Sequence, residues 1–280
     1  MKIRFWGCRG SIPAPGPNTL RYGGNTTCVE VRPLGGGIVI IDAGSGIRSL
    51  GKQLLKEGEL SDIFLLLTHS HWDHLTGFPF FTPAYLKKYN IYVYGGPSAQ
   101  SSLKKYLSHQ MTAPYFPVDF SLMKAAFHFE SNGLQGRSIG GIEFSAIELS
   151  HPNGGYGFKL TRNGKSFVFL TDNEPAFPHE GGLKRDDYVN FCRGADLFVH
   201  DAQYTDEEIK ITRGWGHSTF AEATQIAIDA GVKRFGLFHH DPDRTDDDMD
   251  RCVEVCRAQI ARAGAKIDCF GCMEGAELSL

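Results

Sequence analysis

Apolar positions recur along the chain with two periods. Short runs of strand character fill the first part at residues 2–6, 28–32, 38–42 and 63–67. The run 63–67 is apolar throughout, as in a strand buried on both faces. Helical spacing marks residues 46–57, 98–107, 219–230 and 246–263. A second set of strand-like runs covers 143–149, 156–161, 166–170 and 196–200, and two short ones at 234–238 and 266–270 close the chain. Strands in both halves, with helices between and after them, predict an α+β fold: two mixed β-sheets face to face with helices on both outer faces, an αββα sandwich. No break in composition marks a linker, so 1–280 reads as a single domain. Residues 95–130 are the least regular, with Tyr106, Tyr115, Phe116 and Phe120 around Pro114 and Pro117. They read as an insertion over one end of the core: a lid, a dimer contact or a plain surface excursion.

Composition narrows the class without choosing a function. With 41% hydrophobic and 22% charged residues, the chain can bury a core and is not disordered. A net charge of -3 gives no global basic field for long nucleic acid, although a local site can still bind phosphate. No apolar run approaches the roughly 20 residues of a membrane span, and Met1-Lys2-Ile3-Arg4-Phe5-Trp6 has no signal-peptide core, so the expected location is cytoplasmic. The seven cysteines are odd in number and scattered, which argues against a disulfide framework. The lone pair Cys269-Phe270-Gly271-Cys272 reads as reduced core thiols rather than half a zinc knuckle or a redox pair.

The chemistry concentrates at His69-Ser70-His71-Trp72-Asp73-His74, directly after the buried run 63–67 and Thr68. If the chain stays extended, alternation puts His69, His71 and Asp73 on one side, and a turn brings His74 to a second position. Imidazole and carboxylate donors suit zinc and its first-row neighbours. Further donors stand at the ends of other apolar runs: His151 after Glu148-Leu149-Ser150, Asp172 after Phe169-Leu170-Thr171, and the pair His239-His240 after Phe235-Gly236-Leu237-Phe238.

These residues resemble the metallo-β-lactamase superfamily. The H-x-H-x-D-H motif is matched by His69, His71, Asp73 and His74, and the family's later His, Asp and His by His151, Asp172 and His239. The opening Phe5-Trp6-Gly7-Cys8-Arg9-Gly10-Ser11, Gly24-Asn25-Thr26 and Ile41-Asp42-Ala43-Gly44 is similar too. The resemblance implies the metallo-β-lactamase fold and two metal ions. One would be held by His69, His71 and His151, the other by Asp73, His74 and His239, with Asp172 bridging. Register favours His239 over His240, which is then supporting or substrate-facing. Asp42 occupies a position that supports the metal loop. Zinc is the metal implied first, with manganese or iron as alternatives. A homodimer is a further implication.

His74 argues for hydrolysis, since redox di-iron relatives carry a first cluster richer in carboxylates. Gly214-Trp215-Gly216-His217-Ser218-Thr219 resembles the G-H-S-T segment of the RNase Z and phosphodiesterase branch. His200-Asp201-Ala202-Gln203 resembles that branch's H-E-A-T segment, with Asp for Glu and Gln for Thr. By that resemblance His217 acts on the phosphodiester and Asp201 orients it. Thr219-Phe220-Ala221-Glu222 reads as a capping box that opens the next helix. The expected activity is two-metal phosphodiester hydrolysis by a metal-bridging hydroxide, with Asp73 also accepting a hydrogen bond from the nucleophile. The RNase Z branch's long Gly/Pro-rich arm has no counterpart here, which favours a small diester such as a cyclic nucleotide over tRNA. Tyr115, Phe116 and Trp215 are candidates to stack on a base, with core packing the expected fate of at least two. Alternatives are a thioester, lactone or β-lactam hydrolase, a nuclease or tRNA 3′-processing endonuclease, and a binding protein with an inherited fold. His109, His128 and His179 read as surface or structural, His200 as support behind the ligands, and Arg9 and Arg244 as residues within reach of a phosphate.

Overall fold

The computed structural model describes residues 1–33, 37–96, 102–129 and 137–280. Two seven-stranded sheets face each other. The first contains β1 (Lys2–Gly7), β2 (Cys28–Arg32), β3 (Ile38–Ile41), β4 (Asp62–Leu66), β5 (Asn90–Tyr94), β6 (Ala126–Phe129) and β14 (Glu277–Ser279), in the order β14-β1-β2-β3-β4-β5-β6. The second contains β7 (Ser138–Ile139), β8 (Ile142–Glu148), β9 (Tyr156–Arg162), β10 (Lys165–Leu170), β11 (Leu197–Asp201), β12 (Arg234–Phe238) and β13 (Asp268–Gly271), in the order β13-β12-β11-β10-β9-β8-β7. Both sheets are mixed. β3 to β6 run parallel in the first, and β10 to β13 in the second. This is the predicted αββα sandwich.

The period-2 pattern explains the layers. In β3, Val39 and Ile41 point into the core between the sheets while Ile38 and Ile40 face the outer helices. In β10, Phe167 and Phe169 point inward while Val168 and Leu170 face outward. The helix α1 (Ile47–Glu57) buries Ile47, Leu50, Gly51 and Leu54, one stripe at helical spacing, and stops at Gly58, whose φ of 73° suits glycine. On the other side α4 (Arg185–Cys192), α6 (Phe220–Ala230) and α7 (Asp246–Arg262) cover the second sheet. The capping box expected at Thr219 is present, with Thr219 Oγ1 accepting from the Glu222 N–H and Glu222 Oε2 from the Thr219 N–H, both at 3.0 Å.

The stretch 95–130, read as an insertion over one end of the core, is described at 95–96 and 102–129. Its described part supplies edge strand β6 and helix α3 (Leu103–His109), and Leu103, Leu107, Met111 and Met123 are buried against the first sheet. The helix expected at 98–107 begins later, and residues 98–101 lie outside the described residues. No described helix is long and apolar enough to cross a membrane.

Parallel strands end on the same rim. Asp42 therefore follows β3 beside the cluster that follows β4, while Asp172, Asp201 and His239 lie at the ends of β10, β11 and β12. The two rims are joined by the Tyr156 N–H donating to the Thr68 carbonyl at 2.9 Å.

Candidate metal centre

The chain does not stay extended through its histidine cluster. His71 is extended, and Trp72 opens α2 (Trp72–Leu75), a single turn that buries Asp73, His74 and Leu75. This turn carries Asp73 and His74 to one side and leaves His69 and His71 on the other. Two adjoining groups result. His69, His71 and His151 form one; Asp73, His74, Asp172 and His239 form the other. Within each group one donor atom per residue lies within 4.8 Å of the rest.

Distances show convergence rather than ordinary pairing. His151 Nε2 is 3.0 Å from His71 Nδ1. Asp172 Oδ2 lies 3.3 Å from His74 Nε2, 3.2 Å from His239 Nε2 and 3.7 Å from His69 Nε2, so one carboxylate oxygen faces both groups. Asp73 Oδ2 lies 3.2 Å from His74 Nε2 and 3.0 Å from His239 Nε2, and accepts the Ser11 N–H at 2.9 Å.

The opposite ring nitrogens are fixed from behind. His74 Nδ1 donates to Asp42 Oδ2 at 2.8 Å, His239 Nδ1 to Gln203 Oε1 at 2.8 Å, and His151 Nδ1 to the Gly216 carbonyl at 2.9 Å. That leaves Nε2 of each ring turned inward. Such backing is what metal-ligating imidazoles require.

Electrostatics agree. Burial alone would raise the carboxyl of Asp172, yet His239, His74 and His69 hold it well below the usual carboxylate range. Asp73 is likewise depressed against burial, by His74 and His239. Burial and His74 push His69 well below its ordinary value, and burial brings His151 to about 3, so both rings are neutral donors. Nε2 of His69 and His74 are buried without a hydrogen-bond partner among the described residues. Buried orphan nitrogens beside depressed carboxylates fit metal ions, which would satisfy both. The set can bind a metal centre of dinuclear type.

His217 stands against both groups. Its ring stacks on His239 at 4.7 Å and 20°, and is 5.4 Å from His151. Asp201 is near it, with Oδ2 at 3.6 Å from His217 Nδ1, beyond hydrogen-bond length. The Asp201 carboxylate instead accepts the Ser218 N–H and the Asn173 N–H, each at 2.9 Å. It therefore ties the residue after His217 to the residue after Asp172. Burial pushes Asp201 up to about 7 and His217 down to about 4.

Several expectations need correction. His240 does not face substrate: its Nε2 lies 2.8 Å from the Cys272 carbonyl, and the residue is buried. Arg9 is fully buried and donates to the carbonyls of Gly23, Asp241 and Arg244. Arg244 is bonded to Gln203 O and Glu208. Both arginines hold loops rather than phosphate. Tyr115 and Trp215 are exposed, at 81% and 61%, so core packing accounts for only Phe116 of those three aromatics. His200 lies behind the ligands as expected, with Nε2 3.1 Å from Asn173 Nδ2. The seven cysteines are free.

Sequence reasoning missed Ser11, Asn173 and Glu174. Asn173 Oδ1 accepts the Ser150 N–H, which positions the His151 loop. For Asn173 and Glu174 the signal was adjacency to a candidate ligand in Thr171-Asp172-Asn173-Glu174, and for Ser11 its place at the end of the opening Phe5-Trp6-Gly7-Cys8-Arg9-Gly10-Ser11.

A family model described as the beta-lactamase superfamily domain matches residues 38–240. The chain belongs to the metallo-β-lactamase superfamily. It is an enzyme, a metal-dependent hydrolase. Within the superfamily it is similar to a protein named Ribonuclease Z from Picrophilus torridus, 23% identical over 284 residues that cover 85% of each chain. Two solved metallo-β-lactamase folds superpose over all of it. Human tRNase Z, short form, is 22% identical with 99% of its chain covered and a TM-score of 0.63. Yeast PDE1 is 13% identical with 99% covered and a TM-score of 0.68. The expected resemblance to the RNase Z and phosphodiesterase branch holds.

Proposed function

We propose that the chain, taken as one hydrolase domain over 1–280, is a two-metal phosphodiesterase that acts on a small phosphodiester such as a cyclic nucleotide. The observation that carries this reading is His217, a buried imidazole stacked against one metal-ligand group and in ring contact with the other. His69, His71 and His151 would hold one ion and Asp73, His74 and His239 the other, with Asp172 facing both. When bound, such ions lower the pKa of water from 15.7 to about 7 and polarise a phosphoryl oxygen. The imidazole-rich donor set favours zinc, with manganese or iron as alternatives.

The chain's own groups supply the rest. Asp73 accepts a hydrogen bond from the attacking water. His217, at about 4, is neutral near pH 7 and presents a single N–H. A phosphate anion beside it favours its cationic form, so it can donate to the phosphoryl or leaving oxygen. Asp201 keeps the loop of His217 in register with Asp172 through the two amides it accepts.

Two clefts meet at Ser70, between the ligands. One, of about 360 Å³, is lined by His69, Tyr106, Glu148, Asn153 and Glu180. The other, of about 810 Å³, is lined by Trp72, Phe80, Lys105, Tyr106, Tyr115 and Phe116. Carboxylates on the first disfavour a polyanion there, and aromatic rings on the second suit a base. Both features support a small diester. The similarity to relatives named Ribonuclease Z supports tRNA 3′-processing about equally well, and it is kept as the second reading. The homodimer implied by the family and the cytoplasmic location expected from the sequence belong to the same proposal.

A screen across cyclic mononucleotides, cyclic dinucleotides, oligonucleotides and tRNA precursors, with a thioester and a β-lactam beside them and metal content measured on the same sample, tests this. Turnover of a small diester is expected to dominate. Selective cleavage of tRNA precursors would move the assignment to the second reading, and turnover of the thioester or β-lactam alone would end it.

A further inference from the structure

Glu174 lies two residues past Asp172 and is fully buried. Its carboxylate gathers backbone donors from a single loop. Oε1 accepts the Gly214 N–H at 2.9 Å, and Oε2 accepts the Gly216 N–H at 2.8 Å. His179 Nε2 is 3.0 Å from Oε2, and Arg213 Nη1 is 3.4 Å from Oε1. Gly214 and Gly216 have φ of 92° and 97°, a region that only glycine enters freely, and this turns both amides toward one point. A Cβ on Gly216 would stand 2.1 Å from His151 Nδ1.

The same loop governs two residues of the site. The Gly216 carbonyl receives the His151 Nδ1 proton at 2.9 Å, and the next residue is His217. A buried carboxylate is costly unless its hydrogen bonds are made. Here they are made chiefly to the backbone that aims His151 and carries His217. A purely structural anchor could have used apolar packing, whereas a charge holding two amides fixes the loop's orientation as well as its place.

We propose that Glu174 is a positioning residue that, through Gly214 and Gly216, sets the tautomer and angle of His151 and the location of His217. His179 and Arg213 complete its set of donors and keep the carboxylate turned toward the loop. The inference draws on the phosphodiesterase reading for its turnover measurement alone.

The test compares Glu174→Ala, which removes every acceptor, with Glu174→Gln, which retains one oxygen for Gly216 and His179. Amide exchange is followed in the metal-free protein, zinc affinity by titration, and kcat and KM on a chromogenic phosphodiester. In Glu174→Ala, exchange at Gly214 and Gly216 should accelerate by at least about tenfold while β10 to β12 stay protected. Zinc affinity and kcat should each fall by about 10–100-fold, as for other groups that support a metal ligand, with KM unchanged. Glu174→Gln should recover most of the loss. Unchanged exchange at the two glycines, or equal acceleration across both sheets, would overturn the proposal. A wild-type protein that turns over no phosphodiester would sink the functional reading and leave the exchange and zinc arms to decide this one.

Discussion

Replacing Asp42 with Asn exchanges one carboxylate oxygen for an NH2 group behind His74. Oδ1 accepts the Thr68 N–H at 2.8 Å, and Oδ2 accepts Thr68 Oγ1 at 2.7 Å and His74 Nδ1 at 2.8 Å. This arrangement keeps a proton on Nδ1 and bares Nε2 toward Asp73 and Asp172. An Asn that keeps its oxygen on the Thr68 amide turns its NH2 on the ring N–H, and one that flips strands that amide. In either orientation a buried donor loses its acceptor, at a cost of about 1–3 kcal/mol. Groups that back a ligating imidazole typically carry about 10–100-fold in metal affinity, or about 1.4–2.8 kcal/mol at about 1.4 kcal/mol per tenfold. The two estimates coincide. Titration of the metal-free variant with zinc against a chromophoric chelator should show binding weaker by about 10–100-fold, with circular dichroism checking that the fold is kept. A variant that binds zinc as tightly as the wild type refutes the idea that Asp42 sets the protonation of His74.

His217→Ala should retain its metal, measured by atomic emission, and lose turnover of a phosphodiester by about 100- to 10,000-fold; unaltered turnover removes His217 from the mechanism. Gly216→Ala places a side chain at φ 97° and its Cβ 2.1 Å from His151 Nδ1, so the purified variant should hold one metal fewer per chain; full metal content contradicts this. Asp196 accepts from the Ser166 N–H, Lys165 and Lys233, and although burial would raise it, these partners hold it at about 2. Its folded value lies below the unfolded value of about 3.9, so its contribution to stability is complete above that pH and disappears as pH falls toward 2. Asp196→Asn should therefore melt below the wild type at pH 6 and level with it near pH 2, and a difference in Tm that persists at pH 2 counts against this account.

Much of the fold could be read locally. The strands β3, β4, β10 and β11 are dense apolar runs, and α1, α6 and α7 carry clear stripes and caps. The strands that escaped reading owe their form to distant partners. β14 is three residues long and exists by pairing Leu278 with Ile3 and Glu277 with Arg4. β6 is a partly exposed edge that, among the described residues, pairs with β5 alone, which followed Lys87-Lys88 without a turn signal. In the candidate site, each donor type and its spacing was visible, because a metal needs several strong donors and few other sequences place them so densely. The supporting contacts were less visible. Nothing in Glu174 or Asn173 marks it off from a loop residue until β10, β11 and the 213–218 loop are brought together. The reach of Arg9 was misjudged for the complementary reason: a guanidinium suits phosphate and backbone carbonyls alike, and only the loops around Gly23 and Asp241 decide between them.

The candidate donors come from both sheets. His69, His71, Asp73 and His74 follow a strand of the first, and His151, Asp172 and His239 follow strands of the second. Behind His239, Phe238 meets Phe5 of the opposite sheet at 6.0 Å and Phe169 at 5.1 Å. An ion held across that seam would act as a strain gauge on the sandwich. A cavity made at Phe5 would let the sheets relax toward each other, and donor angles at the rim would shift with them. Metal affinity thus becomes a readout of packing far from the chemistry, and selection on catalysis is at the same time selection on how the two sheets meet.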